Sequence, residues 1–246
     1  MKPLTTYIFY VIGTLTPDHV SLAIESMRRQ QFHWERCVVY NASPMSTEDM
    51  LAQIPRDKFD DVLVANYDPR QPKSCAADWL TQMRDIGGTD RYFSHKADFY
   101  LADGVCEAFD SLDPLDKSWF VPFNKFDMKA RATPDDLRRF ASLDWDEAVK
   151  QPDVGPYNNH MGKVAIPFMQ SPQVDGTMHG YTDAVRSLYE VDESEYHQRW
   201  GYASSIAKLQ LKVPFIYDKR FFALHMWHDS PDRTDPNKNR SPEERF

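Results

Sequence analysis

The chain has 246 residues and a mass of 28.7 kDa, enough for one large α/β domain with a substantial buried core. Apolar residues make up 41% and aromatics 13%, spread from end to end, which excludes a disordered chain, and the net charge of −8 argues against a broad electrostatic footprint for nucleic acid. No apolar run approaches the ~18 residues of a bilayer span, and three cysteines at wide spacing, Cys37, Cys75 and Cys106, exclude a disulfide framework and a cysteine metal site, so a soluble, cytoplasmic protein with reduced thiols is expected.

In chain order, the near-continuously apolar run TYIFYVIG reads as a strand buried on both faces of a parallel sheet. Thr16-Pro17-Asp18 then supplies an N-cap, a proline for the first helical position and an acid for the first turn. Val20, Ala23, Ile24 and Met27 follow at helical spacing, so a helix is expected to run to about Gln30. A second strand is expected over Trp34 to Tyr40, ending in the turn-rich Asn41-Ala42-Ser43-Pro44. A helix through Met50, Leu51 and Ile54 comes next, then a third strand, DVLVANY. This βαβαβ order predicts a doubly wound, mostly parallel sheet flanked by helices.

Further along, a helix is predicted from Pro72 to Ile86 and a fourth strand from Ala97 to Ala102, which runs into Asp103-Gly104. WFVPFNKF reads as a strand, Thr133 to Val149 as a helix with Pro134 at its first position, and KVAIPFMQ as a strand. The last quarter predicts a helix from Ser204 to Leu211 and two strands, PFIYD and FFALHMWH. With no repeat and no low-complexity linker, residues 1–229 are expected to form a single domain with an insertion around 125–200. Residues 230–246 form a charged, proline-bearing tail with too little apolar surface to order itself by core burial.

The stretch VSLAIESMRRQQFHWERCVVYNAS resembles the first helix, second strand and following turn of family-2-type GT-A glycosyltransferases. The segment RWGYASSIAKLQLKVPFIYDKRFFALHMWHDSPDR is similar to the closing block of the same enzymes, in which a Trp-Gly-aromatic step opens a helix and a later strand presents a His-x-x-His-like element. The resemblance implies a GT-A-like fold and transfer of a sugar from a nucleotide-sugar to an acceptor hydroxyl. It also assigns places. Thr14 and Thr16 would contact the nucleotide after the first strand, and Asn41 with Ser43 would hold the base where the family usually carries an acidic pair. Trp200 would line the donor site.

The family's central device is an Asp-x-Asp at the end of strand four, because a divalent cation, Mn²⁺ or Mg²⁺, neutralises the diphosphate leaving group through hard oxygen ligands. In ADFYLADGV the resemblance gives that role to Asp103, reduced to a single carboxylate because neither Leu101 nor Val105 is acidic. Read within one continuous strand, Asp98 points to the opposite face and makes a poor second ligand. His225 and His228 of LHMWH are the other candidate metal or diphosphate contacts, His225 first. Asp103 and His225 are therefore expected to converge.

The acid that usually follows the Trp-Gly-aromatic step is replaced here by Ala203-Ser204-Ser205. The base role would then fall to another carboxylate among Asp175, Asp192, Glu193 and Glu195, of which Glu195 is taken as the catalytic candidate. The acceptor is not encoded in any legible motif. A glycan, a lipid-linked precursor, a protein or a hydroxylated DNA base all remain open, and the charge does not indicate the last. The competing class is a catalytically degenerate GT-A-like domain that binds a nucleotide or glycan. The lack of a GxGxxG after the first strand and of any GxxxxGK[ST] argues against dinucleotide and P-loop enzymes.

Overall fold

A computed structural model describes residues 2–11, 15–41, 43, 45–65, 86–112, 118–128, 133–148, 150, 154–156, 178–188, 212–216 and 218–226. The chain opens with strand β1 (Thr5–Val11), buried along its whole length as its apolar run requires. Helix α1 (Pro17–Arg29) follows, with Thr16 at its N-cap and Pro17 in its first turn. Its buried face is Val20, Ala23, Ile24 and Met27, joined by Ser26. Next come β2 (Trp34–Asn41), α2 (Thr47–Gln53) and β3 (Phe59–Val64).

The fourth strand differs from the expectation. Main-sheet strand β4 covers Arg91–Lys96, the chain turns at Ala97-Asp98, and β5 (Phe99–Leu101) belongs to a second sheet. Helix α3 (Val105–Asp110) starts at Gly104, whose φ of 81° is the left-handed geometry that favours glycine.

WFVPFNKF also divides, into β6 (Phe120–Pro122) of the main sheet and β7 (Asn124–Met128) of the second. Pro122 has no N–H to donate to a neighbour, and β6 lies at the sheet edge where that is tolerated. The helix expected over 133–149 is interrupted: α4 (Pro134–Ala141) begins with a Thr133–Asp136 capping box, and α5 (Trp145–Ala148) restarts after Asp144 accepts from the Glu147 N–H at 2.8 Å. Strands β8 (Val154–Pro156) and β9 (His179–Thr182), which the sequence did not suggest, precede the short helix α6 (Asp183–Arg186) and the closing strand β10 (Phe222–His225). Within PFIYD, Phe215 makes only a bridge to Phe120.

The six-stranded sheet runs β3-β2-β1-β4-β9-β6, with β3, β2, β1 and β4 parallel and β9 antiparallel to its neighbours. A second, four-stranded sheet has the order β5-β10-β7-β8. One hydrophobic core serves both sheets, so the architecture is a single α/β domain around a mostly parallel sheet. Its centre is aromatic: Tyr7, Trp34, Phe93 and Phe109 meet at ring-centroid distances of 5.1 to 5.8 Å, each such pair worth about 0.5–1.5 kcal/mol beyond its buried area. Cys37 and Cys106 are free thiols within this core, and burial raises both thiol pKa values. No helix among the described residues is long and apolar enough to cross a membrane.

Candidate functional site

In the order β3-β2-β1-β4 the winding reverses between β1 and β4, and open parallel sheets bind ligands in the crevice outside the carboxyl ends of their strands at such a reversal. Val11 closes β1 there and Lys96 closes β4, with Tyr10 in register with both Lys96 and Tyr40. Tyr10 and Tyr40 stack at 4.8 Å.

The turn after Lys96 is held from several sides. The Ala97 N–H donates to the Tyr10 carbonyl at 2.8 Å, and the Met226 N–H donates to the Asp98 carbonyl at 2.8 Å. His95 Nε2 donates to the Phe99 carbonyl at 2.8 Å, so the Nδ1 of the neutral ring accepts from the Tyr7 hydroxyl at 2.5 Å. Complete burial keeps that imidazole neutral, pushing its pKa down to about 4.

Three polar side chains meet at this turn. Lys96 Nζ lies 2.6 Å from Asp98 Oδ2, and His225 Nε2, arriving on β10, lies 3.4 Å from the same oxygen. The Phe99 ring packs at a tilt against His225, centroids 4.8 Å apart, and lies under Lys96 Nζ at 6.0 Å. The Asp98 side chain is fully buried, whereas Lys96 keeps 16% and His225 11% of theirs exposed. Of the three, only the lysine and the histidine keep any exposure.

Asp98 is the acid that accompanies His225, which corrects the expectation that it points away. Strand alternation does not apply, because residues 97–98 form a turn. Asp103 lies elsewhere. His225 pairs with Phe99 and Ala223 with Leu101 in the antiparallel β5–β10 ladder, so Asp103 is four residues beyond Phe99, about 13 Å along the chain at ~3.3 Å per residue. The carboxylate beside His225 is that of Asp98, and the Asp103 carboxylate is taken by Arg29.

Arg29 of α1 grips Asp103 with both arms, Nε to Oδ1 at 2.9 Å and Nη2 to Oδ2 at 2.5 Å, a bidentate latch between helix and second sheet. A parallel latch joins Arg138 of α4 to Glu25 at 2.6 and 2.8 Å, and those Arg138 bonds hold the Glu25 carboxyl below its usual range.

Asn41 and Ser43 close a tight turn on each other. Asn41 Oδ1 accepts from the Ser43 N–H at 2.9 Å and from its hydroxyl at 2.8 Å, while Asn41 Nδ2 donates to the Met45 carbonyl at 2.8 Å. Thr16 Oγ1 shares a hydrogen bond with His19 Nδ1 at 2.7 Å. Thr14, Glu195, Trp200 and His228, with the alternative acids Asp175, Asp192 and Glu193, lie outside the described residues. So do residues 72–85 of the helix expected over 72–86, whose last residue Ile86 is described and not helical, the helix over 204–211, the strand over 163–170 and the tail.

Hard divalent cations collect about six or more oxygen ligands. At the end of β4 the described side chains supply one carboxylate, one imidazole and an ammonium in contact with that carboxylate. Among the described residues no group of three or more His, Cys, Asp or Glu side chains is placed to hold a metal. Among the described residues this donor set does not fit Mn²⁺ or Mg²⁺.

Comparison with solved structures finds the same architecture in a mannosyltransferase, PcManGT from Pyrobaculum calidifontis in complex with GDP-Man and Mn²⁺, at TM-score 0.52 and 11% identity over 95% of this chain. S. aureus TarS 1-349 matches at TM-score 0.52 and 11% identity over 91% of the chain, and GalNAc-T7 with UDP, GalNAc and Mn²⁺ at TM-score 0.50 and 8% identity over 92%. The fold is that of the GT-A glycosyltransferases. At these identities the likeness is one of fold. The chain spans 59%, 60% and 44% of the lengths of PcManGT, TarS and GalNAc-T7. No family model and no curated protein matches the sequence.

The GT-A-like frame also gives the end of β4 its meaning. The segment Lys96-Ala97-Asp98 closes β4, the parallel strand that borders the winding reversal, with a lysine and an aspartate two residues apart. Sequence reading passed over this segment because β4 is polar: Arg91, Ser94 and His95 are all buried, each an unusual choice for a central strand. The lysine–x–aspartate spacing next to the buried histidine was the available signal.

Proposed function

We propose that this chain transfers a sugar from a nucleotide-sugar donor to an acceptor hydroxyl, with the donor diphosphate seated outside the carboxyl ends of β1 and β4. The observation that carries the reading is the Lys96–Asp98–His225 cluster at the winding reversal of a GT-A-like sheet, where a phosphate ligand would meet nitrogen groups that keep some exposure. Two structural neighbours hold GDP-Man or UDP together with Mn²⁺, which supports a nucleotide-sugar donor and positive charge at its diphosphate as the general requirement.

As the bond from the sugar to the diphosphate breaks, negative charge grows on the departing phosphate, and preorganised donors at the strand end lower the energy of that state. Thr14, Thr16, Asn41, Ser43 and Trp200 remain the proposed nucleotide and donor contacts, Glu195 the proposed base for the acceptor hydroxyl, and His228 a further proposed diphosphate contact. A hydrolysis and transfer screen over UDP-, GDP-, CDP- and TDP-sugars tests the reading. Turnover of at least one donor is expected, and its loss in Trp200→Ala and Glu195→Gln would place those two residues. A folded protein that neither binds nor consumes any donor refutes the proposal.

A further inference from the structure

We infer that Lys96 takes the place of the divalent cation, so that the donor diphosphate is neutralised by an ammonium built into the fold. The inference rests on the nucleotide-sugar reading of this site and specifies its chemistry. Lys96 stands at the carboxyl end of β4, the strand terminus that borders the winding reversal. Its ammonium contacts Asp98 Oδ2 at 2.6 Å, and of the pair only the lysine reaches the surface, with 16% of its side chain exposed against none for the aspartate. An anion arriving at the strand end therefore meets the cation, while the buried carboxylate orients it from behind.

The charge balance supports the exchange. Two carboxylates with a divalent ion between them sum to zero, and so do one carboxylate and one ammonium. Replacing an acid by a lysine alters local charge by two units, the same amount that a bound divalent ion contributes. A metal added beside Lys96 would instead be repelled at close range by the ammonium, and it would compete with that ammonium for the Asp98 carboxylate.

Rigidity completes the argument, since a fixed donor stabilises developing charge without reorganising. The Ala97 N–H to Tyr10 carbonyl and Met226 N–H to Asp98 carbonyl bonds, both 2.8 Å, hold the turn, and His95 ties its far side to Phe99. His225, 3.4 Å from Asp98, is the second donor that keeps some exposure. In this arrangement Asp98 is a positioning residue and Lys96 the group that touches the diphosphate.

Calorimetric titration of the full chain with UDP, GDP, CDP and TDP, in EDTA and in Mn²⁺, tests the inference. The preferred nucleotide is expected to bind equally in both buffers, within about twofold. The double variant Lys96→Gln, Asp98→Asn keeps a neutral hydrogen-bonded pair in the turn, and it is expected to weaken binding about 10- to 100-fold with unchanged circular dichroism. Lys96→Asp should make binding depend on Mn²⁺.

Wild-type binding that needs Mn²⁺ and disappears in EDTA overturns the role of Lys96 but leaves the nucleotide-sugar reading standing. A folded double variant with wild-type affinity, the signature of a purely structural ion pair, also overturns it, as does Lys96→Asp binding in EDTA as tightly as wild type. If no nucleotide binds in either buffer, the reading of the site fails, and the inference with it.

Discussion

Asp103 illustrates how a carboxylate can stand at the end of an apolar strand for reasons of architecture. Its two oxygens are occupied by Arg29, and its backbone N–H donates to the Ala141 carbonyl at 2.8 Å, so it ties α1, β5 and α4 together. The side chains of Arg29 and Asp103 are 30% and 38% exposed, and solvent screening limits the worth of such a pair to roughly 1 kcal/mol or less. Asp103→Ala is therefore expected to lower stability by about that amount and to leave donor affinity unchanged. Denaturant melts and calorimetry on the same variant check both halves, and a large drop in affinity without a change in melting would return Asp103 to the donor site. His225→Ala is expected to weaken donor affinity and also to lower stability, because that imidazole is buried against Phe99 and Asp98 in the strand-end cluster.

Two contacts between elements carry testable energetics. Gly180 lies in β9 between Phe93 of β4 and Val121 of β6, and a Cβ placed on it would come within 2.2 Å of the Phe109 ring from α3. Both flanking strands belong to the main sheet and the ring is fully buried, so little room exists for relief. Gly180→Ala is expected to cost about 1–3 kcal/mol or more by overpacking, read as a shifted urea midpoint with an unchanged slope.

The second contact is the β4–β5 turn held by His95. Desolvation lowers the pKa of this histidine to about 4, outweighing the opposite pulls of the Phe99 carbonyl and Asp98. In the unfolded chain an imidazole titrates near 6.5. Between those values the unfolded state binds the extra proton, so stability falls as pH drops from about 6.5 toward 4, by up to roughly 3 kcal/mol, and the His95 contribution levels off below. His95→Gln should remove that slope, and an unaltered pH profile of unfolding would show that other groups dominate acid lability.

For the molecule as a whole, a ligand that binds only the folded state raises stability by mass action. A donor at about 100 times its dissociation constant adds ~2.7 kcal/mol. For a chain of this size that corresponds to a melting shift of roughly 5–10 °C. Thermal melts against the nucleotide-sugar panel should show this shift for one base and little for the others. The same shift in EDTA as in Mn²⁺ is expected if the cation belongs to the fold. Uniformly small shifts across the panel would argue for a domain that does not bind donors.

The βαβαβ opening was legible because its signals are local. β1 is an apolar run, α1 carries its cap, proline and buried face at helical spacing, and β2 and β3 follow at short intervals. These features need no tertiary partner to be read, and with the resemblance to GT-A enzymes they set the fold. The candidate site was legible only in part. His225 was singled out from the closing strand, but its partner was sought at Asp103, one strand too far along the chain.

The polar surface of β4 explains that shift. Asp110, Thr5 and the Phe109 carbonyl take the two terminal nitrogens of buried Arg91, and Tyr7 and Phe99 take both ring nitrogens of buried His95. Periodicity records hydrophobicity along the chain and is blind to polar groups whose partners the fold brings in, such as Thr5 for Arg91 and Tyr7 for His95, 86 and 88 residues away. Local sequence therefore decided which segments became the opening helix and strands, while tertiary structure decided where the central strand ended and which charged groups met there. Desolvation makes the difference: the Lys96–Asp98 pair has meaning only where water has been removed from one side and the carboxyl ends of β1 and β4 open on the other.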